Sequence, residues 1–298
     1  MTEYIIGVDI GGTNVRVGLV DEQLHLIKKK STSITCFSTA TELFQSIKAD
    51  INELLPDKPP HRIGMVLPAP WNNESETIED ATNVPFLNGC KITEIKDYFS
   101  DAQLYFENDV NVIALLESKF GGAKGSHNSL YMTISTGIGS GIIANDFIVH
   151  GAKGYAGEVG SIPISHWNAE LQKIEFSSLE ALCSGKTLDH YAKTILHLKD
   201  VEELFKLYHL ENEKVKKFME LWLEYLSAGL AASIQILDPD VVILGGGVIT
   251  HNPWLVERLE SKTKKKVFDR IAQNLVFKVT QYNEDAGLIG AANICLEA

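Results

Sequence analysis

Two stretches of this chain set glycines beside hydroxyl residues in a pattern that could grip phosphate. The first is Asp9-Ile10-Gly11-Gly12-Thr13-Asn14, with Arg16 just beyond it. The second is Ser135-Thr136-Gly137-Ile138-Gly139-Ser140-Gly141. Each follows an apolar run, Tyr4 to Val8 or Leu130 to Ile134, and leads into another, so each reads as strand, tight turn, strand. Glycine lets backbone approach a ligand closely, and successive turn N–H groups make an anion-binding concavity. Two such hairpins could hold one polyphosphate between them, with Thr13 and Thr136 donating hydroxyls. Plain turn chemistry explains an isolated glycine pair better; the duplication favours phosphate.

Three common phosphate motifs do not fit. Gly185-Lys186-Thr187 resembles the tail of a P-loop, but Glu180 stands where its first glycine should be. Gly137-Ile138-Gly139-Ser140-Gly141 runs on into an apolar strand-like stretch, whereas a dinucleotide fingerprint opens a helix. The H-R-D and D-F-G signatures of protein kinases are absent. A nucleotide is therefore expected to be held by hairpins.

Other elements must position these turns. Leu24 to Ser33 is expected as a further strand. Thr39 to Leu55 has helical spacing (Leu43, Ile47, Ile51, Leu54) and stops at Pro56. Arg62 to Leu67 reads as a strand stopped by Pro68. Leu104 to Phe106 reads as a strand that delivers Glu107-Asn108-Asp109 to a helix from Val112 to Phe120. Ser178 to Leu196, Glu213 to Leu237, Pro253 to Lys265 and Ala286 to Leu296 are expected helices, the last rich in small residues. Val241 to Leu244 is a buried strand meeting Gly245-Gly246-Gly247, and Leu275 to Val279 is another strand. This alternation is that of an α/β chain, with a domain boundary near residue 110.

The net charge of -12 argues against a nucleic-acid footprint, which needs a basic face, and disfavours anionic membranes. Hydrophobic residues make up 45% of the 298, ample for two cores. No run of about 18 apolar residues and no leader pattern is visible, so neither a membrane span nor a signal peptide is expected. Cys36, Cys90, Cys183 and Cys295 are far apart, which fits a reducing cytoplasm and no disulfide framework.

Taken together the motifs resemble those of the ROK sugar kinases, within the actin-like ATPase superfamily. Asp9 to Asn14 with Arg16 looks like the first phosphate motif, and Thr136 to Gly141 like the second. Val242 to Gly247 resembles the adenosine-binding stretch, and Glu107-Asn108-Asp109-Val110-Asn111 the catalytic segment. Gly154-Tyr155-Ala156-Gly157-Glu158-Val159-Gly160 resembles the opening of the family signature, and Leu179-Glu180 with Ser184-Gly185 its close. The resemblance runs in family order from residue 9 to about 290. It implies a two-lobed fold with an interlobe cleft. One lobe would span 1–110, rejoined by 286–298; the other would span 111–285. It implies ATP and Mg²⁺ as cofactors, a sugar as partner, and a homodimer.

The resemblance also implies residue roles. Asp109 would be the general base toward a sugar hydroxyl, although an Asp at a helix start is commonly just a cap. Asp9 would orient hydrated Mg²⁺, although it could be a turn residue. Gly11, Gly12, Thr13, Asn14, Arg16, Thr136, Gly137 and Gly139 would surround the phosphates, and Gly245, Gly246 and Gly247 the adenosine. Asn83, Asn108, Asp109, Glu158 and Glu180 would contact sugar. Glu158 on a solvated loop and Glu180 in an ordinary first helical turn are the plainer readings.

One departure bears on specificity. Many ROK kinases have histidine where this chain has Ser161, then a cysteine zinc loop. Here Ile164 to Ser178 holds no cysteine, and His166 is a lone imidazole, so no zinc is expected. The zinc-free pattern looks like the β-glucoside kinases, which phosphorylate the 6-hydroxyl of disaccharides such as cellobiose. N-acetylmannosamine kinases and glucokinases of the family are the alternatives, and a non-catalytic sugar sensor is the alternative of another class. The family's repressors carry an N-terminal helix-turn-helix, for which a first strand starting near residue 4 leaves no room.

Overall fold

The computed structural model describes residues 4–72, 74–168, 170–282 and 285–297. The chain divides into two compact units. One runs to Lys119 and adds Ile148–Ala156 and the C-terminal segment from Tyr282; the other holds Phe120–Phe147 and Gly157–Gln281. The division therefore falls after Lys119 rather than near residue 110. The helix Asp109–Phe120 is continuous, and all but its last residue stays with the first unit. There it packs on the last helix so closely that a Cβ on Gly290 would stand 2.8 Å from that of Val112.

The first unit is built on five strands, β1 (Tyr4–Ile10), β2 (Asn14–Asp21), β3 (Leu26–Ser33), β4 (Arg62–Leu67) and β5 (Gln103–Asn108), in the order β3-β2-β1-β4-β5. β1, β2 and β3 pair antiparallel, while β4 joins β1 and β5 in parallel. β1 is apolar from Ile5 to Val8 because both its faces are covered there, and Asp9 breaks the run near its end. Ile6, Val8 and Ile10 meet Leu43, Phe44 and Ile47 in one core, while Ile5 joins Ala292 and Cys295 in another. This is the alternation a central strand requires. The helix Ala40–Leu54 starts where Thr39 Oγ1 accepts the Glu42 N–H at 3.2 Å. The helix Ala286–Glu297 needs glycine beneath it, since a Cβ on Gly7 would lie 2.3 Å from the Leu288 carbonyl oxygen. Edge strand β3 carries Lys28, Lys29 and Lys30, which discourage further strand pairing.

The second unit repeats this layout. β6 (Ser129–Ile134), β7 (Ile138–Ala144) and β8 (Phe147–Ile148) come first, then a hairpin of β9 (Pro163–Asn168) and β10 (Lys173–Ser178), then β11 (Val241–Gly245) and β12 (Val276–Val279). The sheet order is β12-β11-β6-β7-β8, with β6/β7 antiparallel and β6/β11/β12 parallel, matching strand for strand the order of the first sheet. The helix Glu213–Leu237 has the expected bounds. Asn212 Oδ1 caps it at the Val215 N–H, 3.2 Å away, and Asp238 ends it in left-handed backbone at φ 44° before Pro239.

The single helix expected from Ser178 to Leu196 is instead broken into Leu179–Cys183, Gly185–His190 and a π turn, Tyr191–Ile195. Buried Ser184 caps the second piece at the Thr187 N–H. The break turns the Gly185 N–H toward the Ser135 carbonyl at 2.7 Å. Helical periodicity carries on through such a break, so it hid it. The hairpin β9–β10 and the helices Ile92–Tyr98, Val201–His209 and Asp269–Asn274 were not expected. Among the described residues no helix is long and apolar enough to cross a membrane.

Candidate active site

In the first unit the β1–β2 turn closes when the Gly11 N–H donates to the Asn14 carbonyl at 2.9 Å, leaving Gly12 and Thr13 exposed at its tip. The Thr13 carbonyl accepts the Ile34 N–H at 2.9 Å, which ties the tip to the end of β3. Asn83 stands against this turn: a Cβ on Gly12 would lie 2.8 Å from that of Asn83.

The antiparallel register sets Asp9 opposite Arg16, and Arg16 Nη1 donates to Asp9 Oδ2 at 3.4 Å. The Asp9 side chain is 15% exposed. Desolvation raises its pKa from 3.8 to about 6. The Arg16 charge opposes this, while the charges of Asp109 and Asp285 add to it. The carboxylate also rests at the start of the helix Ala286–Glu297, where a Cβ on Gly287 would fall 2.5 Å from Asp9 Oδ2. Asp285 and Gly287 escaped the sequence reading. Their only local signal is an acid followed by Ala-Gly before a small-residue helix.

Asn108 ends β5 and Asp109 begins the following helix. Asn108 takes the capping role: its Oδ1 accepts the Val110 N–H at 3.0 Å, and its Nδ2 donates to the Ala69 carbonyl at 3.0 Å. Asp109 Oδ1 shares the Val110 N–H at 3.0 Å. Asp109 keeps an exposed rim, yet the protein packed round its carboxyl group raises its pKa. The N–H groups of Val110 and Asp109 and the Asn108 side chain pull it back down. The first unit thus brings together Asp9, Arg16, Asp109 and Asp285, and holds Asn108 beside them in sequence.

The second unit gathers the remaining candidates. Thr136 is exposed at the β6–β7 turn, which the Ser135 N–H closes by donating to the Gly137 carbonyl at 2.9 Å. Glu180 reaches over this turn: its Oε2 accepts the Ile138 N–H at 2.8 Å, and a Cβ on Gly137 would lie 2.4 Å from that oxygen. Gly139 pairs with Thr133 in the β6–β7 ladder. Glu158 and Ser161 are exposed on either side of buried Val159 and Gly160. That segment is fixed to β7 because Ser140 Oγ donates to the Gly157 carbonyl at 2.7 Å. Gly246 has φ 82°, and its Cβ would collide with the Ile134 carbonyl oxygen at 2.3 Å. Gly245-Gly246-Gly247 therefore nestles against the end of β6 as only glycine can. Gly185-Lys186-Thr187, no P-loop, packs its backbone on the carbonyls of Ser135 and Thr136. Among the described residues no three His, Cys, Asp or Glu side chains are grouped to hold a metal ion. In the stretch where other members carry a cysteine zinc loop, this chain has β9 and β10; the His166 side chain lies outside the described groups.

A family model described as "ROK family" matches residues 5–298. The chain belongs to the ROK family. A glucokinase of Thermotoga maritima is 23% identical over 308 residues, covering 98% of this chain and 97% of that one. A xylose repressor of Bacillus spizizenii is 24% identical over 302 residues, covering 99% and 77%. Among solved structures, a ROK family glucokinase from Streptomyces griseus in complex with glucose and AMPPNP has a TM-score of 0.79 at 21% identity, over 99% of this chain and 100% of that one. The ROK assignment explains the paired five-stranded sheets as the α/β architecture of actin-like ATPases. ROK relatives thus include both kinases and repressors.

Proposed function

We propose that this chain is an ATP-dependent sugar kinase that phosphorylates a sugar hydroxyl. The observation that carries the reading is Asp109. A neighbouring asparagine relieves it of the capping duty, its pKa is raised by the protein around it, and its charge is felt by Asp9. A raised carboxylate is better matched to taking a proton from an alcohol. Asp109 serves as the general base, and Asn83, Asn108, Glu158, Ser161 and Glu180 recognise sugar hydroxyls. Thr13, Thr136 and the turn N–H groups of Gly11, Gly12, Asn14, Gly137 and Gly139 take the phosphates with Arg16, and Gly245 to Gly247 take the adenosine.

The residues present suit Mg²⁺. Burial holds the Asp9 pKa near 6, and the charges of Asp109 and Asp285 add to it, so a cation beside this carboxylate would be favoured. Asp9 would hold the ion, in part through water, and the ion would neutralise charge on the transferring phosphoryl group. No zinc is invoked.

The preferred substrate is a cellobiose-type β-glucoside, phosphorylated at its 6-hydroxyl, since Ser161 is smaller than the histidine it stands for in other members. N-acetylmannosamine and glucose are the other candidates. The chain is proposed to act in the cytoplasm as a homodimer, without nucleic acid. The xylose repressor relatives support a second reading, a sugar-sensing regulator. A panel of cellobiose, glucose, N-acetylmannosamine and fructose with Mg-ATP decides between them. Sugar-dependent ADP release is expected; sugar binding without it would establish the regulator.

A further inference from the structure

Glu107 is 4% exposed and immediately precedes the Asn108–Asp109 turn. Its Oε1 accepts the Asn108 N–H at 2.8 Å and Asn111 Nδ2 at 2.9 Å. Its Oε2 lies 2.6 Å from His150 Nε2, and the imidazole is 22% exposed. A buried carboxylate is costly unless a cation and hydrogen bonds compensate it. His150 supplies the cation; Asn108 and Asn111 supply the rest.

His150 opens a segment clamped to the same neighbourhood. Its carbonyl accepts the Ala156 N–H at 3.0 Å. Gly154, at φ 83°, lies so close to Trp71 that a Cβ would fall 2.6 Å from its backbone, and Asn72 Nδ2 donates to the Ala152 carbonyl at 3.4 Å. Trp71 packs on Phe106, the residue before Glu107, with ring centres 5.5 Å apart. Asn108 reaches the same turn through the Ala69 carbonyl. The 69–72 turn, β5 and the 150–156 segment therefore form a closed loop of contacts, with the Glu107–His150 pair as its ionic link.

We propose that His150 is a positioning residue: by pairing with Glu107 it holds the Asn108–Asp109 turn in place for phosphoryl transfer. The proposal rests on the kinase reading. Glu107 is the charged group facing the imidazole, and its hydrogen bond raises the His150 pKa above the ordinary 6.5, with burial opposing. The ion pair is thus complete at low pH and is lost as pH rises through the raised His150 pKa. Deprotonation leaves the Glu107 charge buried without its counter-ion, and the Asn108 N–H it holds is the first group to feel the change.

The test compares wild type, His150→Gln and His150→Leu. Gln keeps a neutral donor but cannot titrate. Wild-type kcat/KM for the sugar is expected to fall by about tenfold as pH rises through the imidazole pKa, the scale of a small misplacement of reacting groups. His150→Gln should lack that limb. His150→Leu should lose about tenfold in kcat below the imidazole pKa and approach wild type above it. Superimposable profiles for wild type and His150→Gln, or a folded His150→Leu with full kcat below that pKa, overturn the proposal. A histidine NMR titration provides a readout independent of turnover. The His150 pKa should lie above 6.5 in wild type and drop toward it in Glu107→Gln; no difference between the two also overturns it. A wild type that transfers no phosphate to any sugar sinks the kinase reading instead, and the titration still decides whether the pair exists.

Discussion

Asp9→Asn should make the protein more stable while disabling it. Folding raises the Asp9 pKa from 3.8 to about 6. At about 1.4 kcal/mol per unit, that rise is a penalty of about 3 kcal/mol for holding the carboxylate ionised in the folded state. About 2 kcal/mol is the lower figure expected once solvent at the 15% exposed carboxylate screens part of that penalty. The sign follows from linkage: the folded state binds the proton more tightly than the unfolded chain, so stability falls as pH rises from 3.8 to about 6 and is lowest above that. Asparagine carries no charge, so the variant escapes the penalty. Urea unfolding in metal-free buffer should give a variant about 2 kcal/mol more stable at pH 8, a gap that shrinks below pH 6 and closes near pH 4. The corresponding rise in melting temperature is roughly 5 °C. Mg-ATP-dependent turnover should fall sharply in the same variant. A variant no more stable than wild type at pH 8, or a gap that ignores pH, would refute the account of Asp9 as a strained carboxylate kept for its ligand.

Three further outcomes are expected. Asp109→Asn should fold normally, with an unchanged circular dichroism spectrum, and lose about 10²- to 10⁴-fold in kcat; near-normal turnover would remove Asp109 from its role. Chelating magnesium should abolish activity while a zinc-selective chelator leaves the rate unchanged, and strong inhibition by the latter would count against the reading of Ser161 and its neighbours. Gly64→Ala places a Cβ 1.6 Å from the Ala291 carbonyl oxygen. With backbone on both sides of that clash, about 3 kcal/mol of stability should be lost, read as a lower urea midpoint; an unchanged midpoint would mean the last helix does not rest on β4.

Much of the candidate site was legible in the sequence because its turns lie between neighbouring strands. The β1–β2 and β6–β7 turns are flanked by apolar runs that pair with each other, and β11 is an apolar run of its own. The cap at Asn212 and the stop at Asp238-Pro239 bound the long helix. Asn108-Asp109 sits where a strand meets a helix, so its exposure could be inferred from neighbours alone. The helix expected at Ser178 failed for the opposite reason. Its interruption at Ser184 is held by the bond from the Gly185 N–H to the Ser135 carbonyl, 50 positions away, and leaves no mark on periodicity. The hairpin β9–β10 left little signal because β10 has no buried residue, so it lacks the apolar run that marks the central strands.

By itself the sequence determined the β1–β2 and β6–β7 hairpins, the strands of the two five-stranded sheets apart from the short edge strand β8, and the longest helices. Backbone dihedral preferences and apolar spacing act over a few residues, so these features can be read from a short window. Only the tertiary structure decided that Asp285 and the helix start at Gly287 lie against Asp9, that His150 meets Glu107 from 43 positions away, and that Glu180 lies over the Gly137 turn. Each of these depends on which helix settles on which strand, and at what height. That choice is made by the packing of whole faces, through close contacts such as those at Gly7 and Gly64, and no local pattern encodes it.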